Sequence, residues 1–202
     1  MTPAPQFEKL LTTLLRDLVT EIVAHPADLE IRARSFHTIT DVTWRGHRAD
    51  TPRMIGEGAQ TYHWLKMLVR QIGERHGYEA DLARVGEPVT GTAERYPEFA
   101  SKPKWPQARL LALLQRTVEA ATREHRCELE TDDSGDQTAI VVNIATSETL
   151  KTETVLREIL KHIFKAIFNA NGRLMKLTVI RTLEPEQAQP ATAAGRFAKE
   201  TK

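Results

Sequence analysis

Arg53-Met54-Ile55-Gly56-Glu57-Gly58-Ala59-Gln60-Thr61, running directly into Tyr62 to Arg75, is the stretch on which the reading of this chain turns. Two glycines separated by one residue predict a tight turn. Leu65, Leu68, Val69 and Ile72 then recur at helical spacing, so a helix opens where the turn ends. Gly77 marks its C-terminal end. Backbone N–H groups at the start of such a helix face outward and can hold an anion.

Upstream, Phe7, Leu10, Leu11, Leu14, Leu15, Leu18, Val19, Ile22 and Val23 form one apolar face, which predicts a helix that Pro26 ends. Leu29, Ile31 and Ala33 alternate with polar residues, as do Thr40, Val42 and Trp44, so two half-buried strands follow. Thr51-Pro52 reads as an N-cap and a first-turn proline, predicting a short helix leading into Gly56. Downstream, Tyr78 to Val85 reads as a third strand. The expected order is helix, strand, strand, short helix, glycine turn, helix, strand.

The second half repeats much of this order. Leu110, Leu111, Leu114 and Val118 mark a helix, and Cys127 to Glu130 and Ile140 to Ile144 mark two strands. Leu156, Ile159, Leu160, Ile163 and Ile167 mark a long helix, and Leu174 to Ile180 a strand. Trp64 to Val85 aligns with Ile159 to Ile180 without a gap, matching Leu65 to Leu160, Ile72 to Ile167, Gly77 to Gly172 and Leu82 to Leu177. Asp28-Leu29-Glu30 resembles Glu128-Leu129-Glu130 at an offset about five residues longer, so the second copy is shorter where the glycine turn belongs. The expected units are therefore 1–86, a linker over 87–106, a second unit over 107–182 that lacks the turn, and a disordered tail over 183–202. The linker is Pro- and Gly-bearing and aperiodic, and the tail is rich in Ala, Gln and Thr.

Composition narrows the function classes. The 202 residues are 41% hydrophobic and 27% charged, with a formal net charge of +1, so no global field drives the chain toward nucleic acid or an anionic membrane. Over residues 1–86, 11 Lys and Arg balance 11 Asp and Glu. The single cysteine, Cys127, reads as a structural thiol in a reducing compartment, and the first residues lack the basic-then-apolar pattern of a secretory signal. A cytoplasmic protein with no membrane-spanning helix is expected. No Walker-type loop, metal-ligand spacing or catalytic set stands out, so neither an enzyme nor a cofactor is expected. Asp132-Asp133-Ser134-Gly135-Asp136 reads as a hairpin turn rather than a calcium loop.

The element order and the segment Met54 to Thr61, continuing through Leu65 to Val69, resemble a type II KH domain of the small bacterial KH-domain RNA-binding proteins. The resemblance covers about residues 7 to 85, is strongest over Arg53 to Arg75, and extends by topology to 107–182. It implies an α+β protein of tandem type II KH-like units (α-β-β-α-α-β), each a three-stranded sheet packed against helices. In that family an Ile-Gly-x-x-Gly turn precedes a basic residue, Thr and an apolar helix, and the turn clamps the sugar–phosphate backbone of single-stranded RNA. Ile55 matches the apolar residue before the turn and Gly56 its first glycine. Glu57 and Gly58 fill the variable positions, and Thr61 matches the threonine.

Three residues depart from the pattern. Ala59 stands at the second glycine, where a positive φ would cost on the order of 1 kcal/mol. Glu57 puts a negative charge beside the expected phosphate, and Gln60 replaces a basic residue. Arg45, Arg48 and Arg53 before the turn, with His63, Lys66 and Arg70 after it, form the expected basic rim. Trp44 and Trp64 are expected to pack in the core rather than stack on bases.

The resemblance implies single-stranded RNA as partner, with ribosomal RNA or another KH protein among the candidates. Two copies in one chain also point to an internal pseudo-dimer. The other expectation left open is a non-enzymatic KH-fold module for protein interaction or ribosome assembly, in which the phosphate clamp has decayed.

Overall fold

The computed structural model describes residues 2–84, 107–122, 128–134, 137–145, 150–170 and 174–183. Cys127, the Gly135–Asp136 connection, the expected linker over 87–106 and all but the first residue of the expected tail lie outside the described residues. The protein is α+β.

Helix α1 (Ala4–Thr20) starts with Pro5 in its first turn, where a missing N–H leaves no broken bond. Its apolar stripe of Phe7, Leu11, Leu14, Leu15, Leu18 and Val19 is buried. The periodicity runs to Val23, yet the helix stops at Thr20, with Glu21 as C-cap. Ile22 and Val23 both donate to the Val19 carbonyl, at 2.9 Å and 3.1 Å, so the chain keeps a helical course for another turn and both side chains stay buried. A pattern of apolar residues cannot distinguish that frayed turn from the helix proper.

Strands β1 (Glu30–Phe36) and β2 (Ile39–Arg45) form a hairpin closed by the Phe36–Ile39 pair. His37 in the connection takes a φ of 54°. Ile31, Thr40, Val42 and Trp44 are buried along the inner face. Strand β3 (Glu79–Arg84) joins β2 in parallel, with Val42 opposite Leu82. A parallel pair requires a crossover. Helix α2 (Thr51–Ile55), the glycine turn and helix α3 (Gln60–His76) supply it. Its course carries the chain from the end of β2 back to the start of β3, with α1 packed on β1 and α3 on β3.

The second half has a sheet of the same strand order. Strands β4 (Glu128–Ser134) and β5 (Gln137–Ala145) are antiparallel, and β6 (Leu174–Leu183) runs parallel to β5. The ladder between β5 and β6 shifts register at Ile140/Val141. Ser134 pairs with Gln137, and Asp132, Asp133 and Ser134 of the expected turn lie in β4 instead. Helices α4 (Gln107–Ala121) and α5 (Leu150–Ala170) correspond to α1 and α3. Residues 146–149, which lie between β5 and α5, contain no glycine.

One cluster of buried side chains runs through both halves. Helix α3 packs against α5 and α1 against α4, so each helix meets its counterpart in the other copy. Arg109 pairs with the buried Glu21 at 3.2 Å, and Arg116 with Asp17 at 2.8 Å. Among the described residues, no helix is long and apolar enough to cross a membrane.

Candidate nucleic-acid interface

The backbone of the turn is unusual at three positions within four residues. Gly56 has φ 74° and ψ 171°, a conformation essentially reserved for glycine. Gly58 and Ala59 follow in the left-handed region, at φ 58° and φ 62°. Ala59 therefore does take the positive φ anticipated for the second-glycine position, despite its Cβ. The Gly56 N–H donates to the Pro52 carbonyl at 2.8 Å and the Ala59 N–H to the Gly56 carbonyl at 3.2 Å, which tie the turn to α2 and close it on itself.

Gly56 is required for a second reason. A Cβ there would lie 2.2 Å from Thr61 Oγ1 and 2.9 Å from the Thr61 nitrogen. Thr61 is buried against the glycine, so the pairing of Gly56 with Thr61 is steric. At Gly58 a Cβ would meet nothing within 4 Å.

Glu57, Gly58, Ala59 and Gln60 are all exposed, whereas Ile55 is half-buried. Ala59 is the N-cap of α3 and offers no side-chain acceptor to the first amides of the helix. The Gln60 N–H donates back to the Glu57 carbonyl, and the amides that follow lie at the positive end of a 17-residue helix dipole. Glu57 is the acidic side chain beside them.

The expected basic rim divides into two groups, each organised by an aspartate. On the α3 side, Lys66 Nζ reaches Asp81 Oδ2 at 2.9 Å and Arg70 Nη2 reaches Asp81 Oδ1 at 3.0 Å. Partial burial opposes ionisation of Asp81. The hydrogen bonds from Lys66 and Arg70 outweigh it and hold the carboxyl below its ordinary value of 3.8. Tyr62 Oη also donates to the Leu82 carbonyl, at 2.8 Å, tying this helix to β3.

On the α2 side, Asp50 is buried. Its carboxylate accepts from the Ala24 and His25 amides, both at 2.8 Å, and contacts His25 Nδ1 at 3.1 Å. Arg53 Nη1 lies 3.6 Å from it, with a side chain only 10% exposed, so Arg53 is a strut of the fold more than a surface cation. Burial would raise the Asp50 carboxyl, but the two amides and His25 prevail and lower it below 3.8. The His25 and His47 rings lie 4.0 Å apart. Arg45 and Arg48 are exposed nearby in sequence, Arg45 ending β2 opposite Glu30.

His63 is exposed and meets Trp64 edge-on at 5.0 Å. Trp64 stacks on His162 of α5 at 4.9 Å, and Trp44 is buried, so neither indole is a free platform for a base. The turn residues and the start of α3 thus come together as expected, while Arg53, Lys66 and Arg70 are held by aspartates and Arg45, Arg48 and His63 are exposed. Sequence reasoning missed Asp50 and Asp81. Asp50, not Thr51, is the N-cap residue before Pro52, and its side chain serves the end of α1 instead. Asp81 alternates outward in β3 and gives no signal in sequence. No protein-family model and no curated protein matches the chain.

Proposed function

We propose that the chain is a tandem type II KH-like RNA-binding protein that takes single-stranded RNA at the Gly56 turn. The observation that carries the reading is the run of positive-φ residues, Gly56, Gly58 and Ala59, opening onto the uncapped N-terminus of α3. Backbone donors at that point match the phosphates of an RNA strand, and the exposed face from Glu57 to Gln60 lets the strand approach. The element order α1-β1-β2-α2-α3-β3 around the turn supports the family resemblance. Binding of this kind is weak or assisted, because Glu57 opposes phosphate and Asp81 competes for Lys66 and Arg70. The second unit supplies α4 and α5 to the shared core and acts as a structural partner.

The same ion pairs favour a second reading: a KH-fold module for protein interaction or ribosome assembly, with a decayed clamp. Fluorescence anisotropy with a labelled single-stranded RNA across a salt series separates the two. RNA binding should weaken with salt and be lost in Gly58→Asp. That substitution suits the test because the position has space for a side chain and Asp tolerates the left-handed region. No affinity at low salt, or equal affinity in the variant, excludes the turn as an RNA site.

A further inference from the structure

Strand β1 is an edge of its sheet, opposite β3, and among the described residues pairs only with β2. Ser35 in β1 donates its N–H to Glu8 Oε1 of α1 at 2.6 Å, so its amide points away from β2. Alternate residues of an antiparallel strand point the same way. The N–H and C=O groups of Ile31 and Ala33 therefore point outward with Ser35. No side chain among the described residues bonds the Ile31 or Ala33 amide as Glu8 bonds Ser35. A groove of about 540 Å³ runs beside them, between α1 and β1, with Lys9, Thr12 and Arg16 on one wall and Arg34 on the other.

The groove is basic. Lys9, Arg16 and Arg34 are exposed and have no acidic partner among the described residues. Its two acidic residues are already engaged, Glu8 by the Ser35 amide and Asp17 by Arg116. We propose that this groove binds an extended acidic peptide, which adds to β1 as a further strand. The edge offers alternating donors and acceptors, which a peptide backbone matches in register. Phosphate groups have acceptors only and do not alternate with donors at the strand's spacing. Glu8 already shows the arrangement in miniature, a carboxylate held on an outward amide of this strand. The site is separate from the Gly56 turn and does not depend on its role.

The test uses the full chain and a short fluorescein-labelled peptide of alternating glutamate and valine. Its lysine–valine counterpart and a backbone N-methylated version serve as controls. The acidic peptide should bind at least about tenfold more tightly than either control, and Lys9→Glu with Arg16→Glu should weaken it by a similar factor. Hydrogen exchange at the Ile31 and Ala33 amides should slow on binding. Ala33→Pro removes the outward donor at an edge position that accepts proline, and should weaken the peptide while the circular dichroism spectrum is kept. No binding of the acidic peptide overturns the proposal. So does equal binding of the N-methylated peptide, which would make the contact ionic alone. Slowed exchange at Ile31 and Ala33 with single-stranded RNA in place of the peptide overturns it in favour of a nucleic-acid groove.

Discussion

Alanine at Gly56 and alanine at Gly58 should behave differently, although the two glycines share one turn. At Gly56 the backbone lies at φ 74° and ψ 171°, and forcing a side chain into that region costs roughly 1–3 kcal/mol. The new Cβ would also lie 2.2 Å from Thr61 Oγ1 and 2.8 Å from Thr61 Cβ. Thr61 is buried in the first turn of α3, so relief means shifting that turn. Such overpacking adds roughly 1–3 kcal/mol. The expected loss for Gly56→Ala is therefore about 2–6 kcal/mol, a large share of the roughly 5–15 kcal/mol that stabilises a domain. Gly58→Ala meets no atom and carries only left-handed strain, roughly 1–2 kcal/mol.

Urea unfolding followed by tryptophan fluorescence measures both losses, with the slope m unchanged if the transition stays two-state. Adding Thr61→Ala to Gly56→Ala removes Oγ1 but leaves the Thr61 Cβ position and nitrogen in place, so it should recover only part of the loss. Equal losses at the two glycines, or a loss below about 1 kcal/mol for Gly56→Ala, would refute the steric pairing of Gly56 with Thr61.

Asp81→Asn should release Lys66 and Arg70 toward a bound strand. RNA affinity and its salt slope should both rise in anisotropy titrations, while stability changes by less than about 1 kcal/mol, as for exposed ion pairs. Asp50→Asn should destabilise by about 1.5–3 kcal/mol, the range for hydrogen bonds to a charged group, measured by urea unfolding near neutral pH. Because the folded Asp50 carboxyl lies below 3.8, its contribution is full above that pH and is lost as pH falls through the folded value. Asp50→Asn should flatten the acid limb of a melting-temperature profile. Burial lowers the His162 imidazole below 6.5, and burial lowers His76 in the same direction. The stability they confer is full above 6.5 and declines as pH falls through their folded values. His162→Gln should shrink that decline in thermal melts across mildly acidic buffers.

Much of the local structure was legible in sequence. The apolar stripe of α3, the alternation in β1 and β2, and the glycine spacing before Gln60 each report a local period or backbone requirement. The end of α1 was not legible, because a carboxylate 26 positions further on, Asp50, accepts the Ala24 amide and fixes where the chain turns. Nor was the state of the basic rim. Lys66 and Arg70 read as available cations until β3 brings Asp81 beside them, and Arg53 read as surface until Asp50 drew it inward.

The sequence by itself determined the elements and their repeated order, because helix and strand periods and glycine turns depend on residues close together in the chain. It also indicated, from an alignment offset about five residues shorter, that the second half lacks length where the turn stands in the first. Only the tertiary structure decided which charges face solvent and which are spent within the fold. It also decided that α3 meets α5 over one shared core and that the β1 edge stands open beside a basic groove. Those outcomes rest on distances between residues far apart in the chain, and charge and burial follow distance in space rather than separation in sequence.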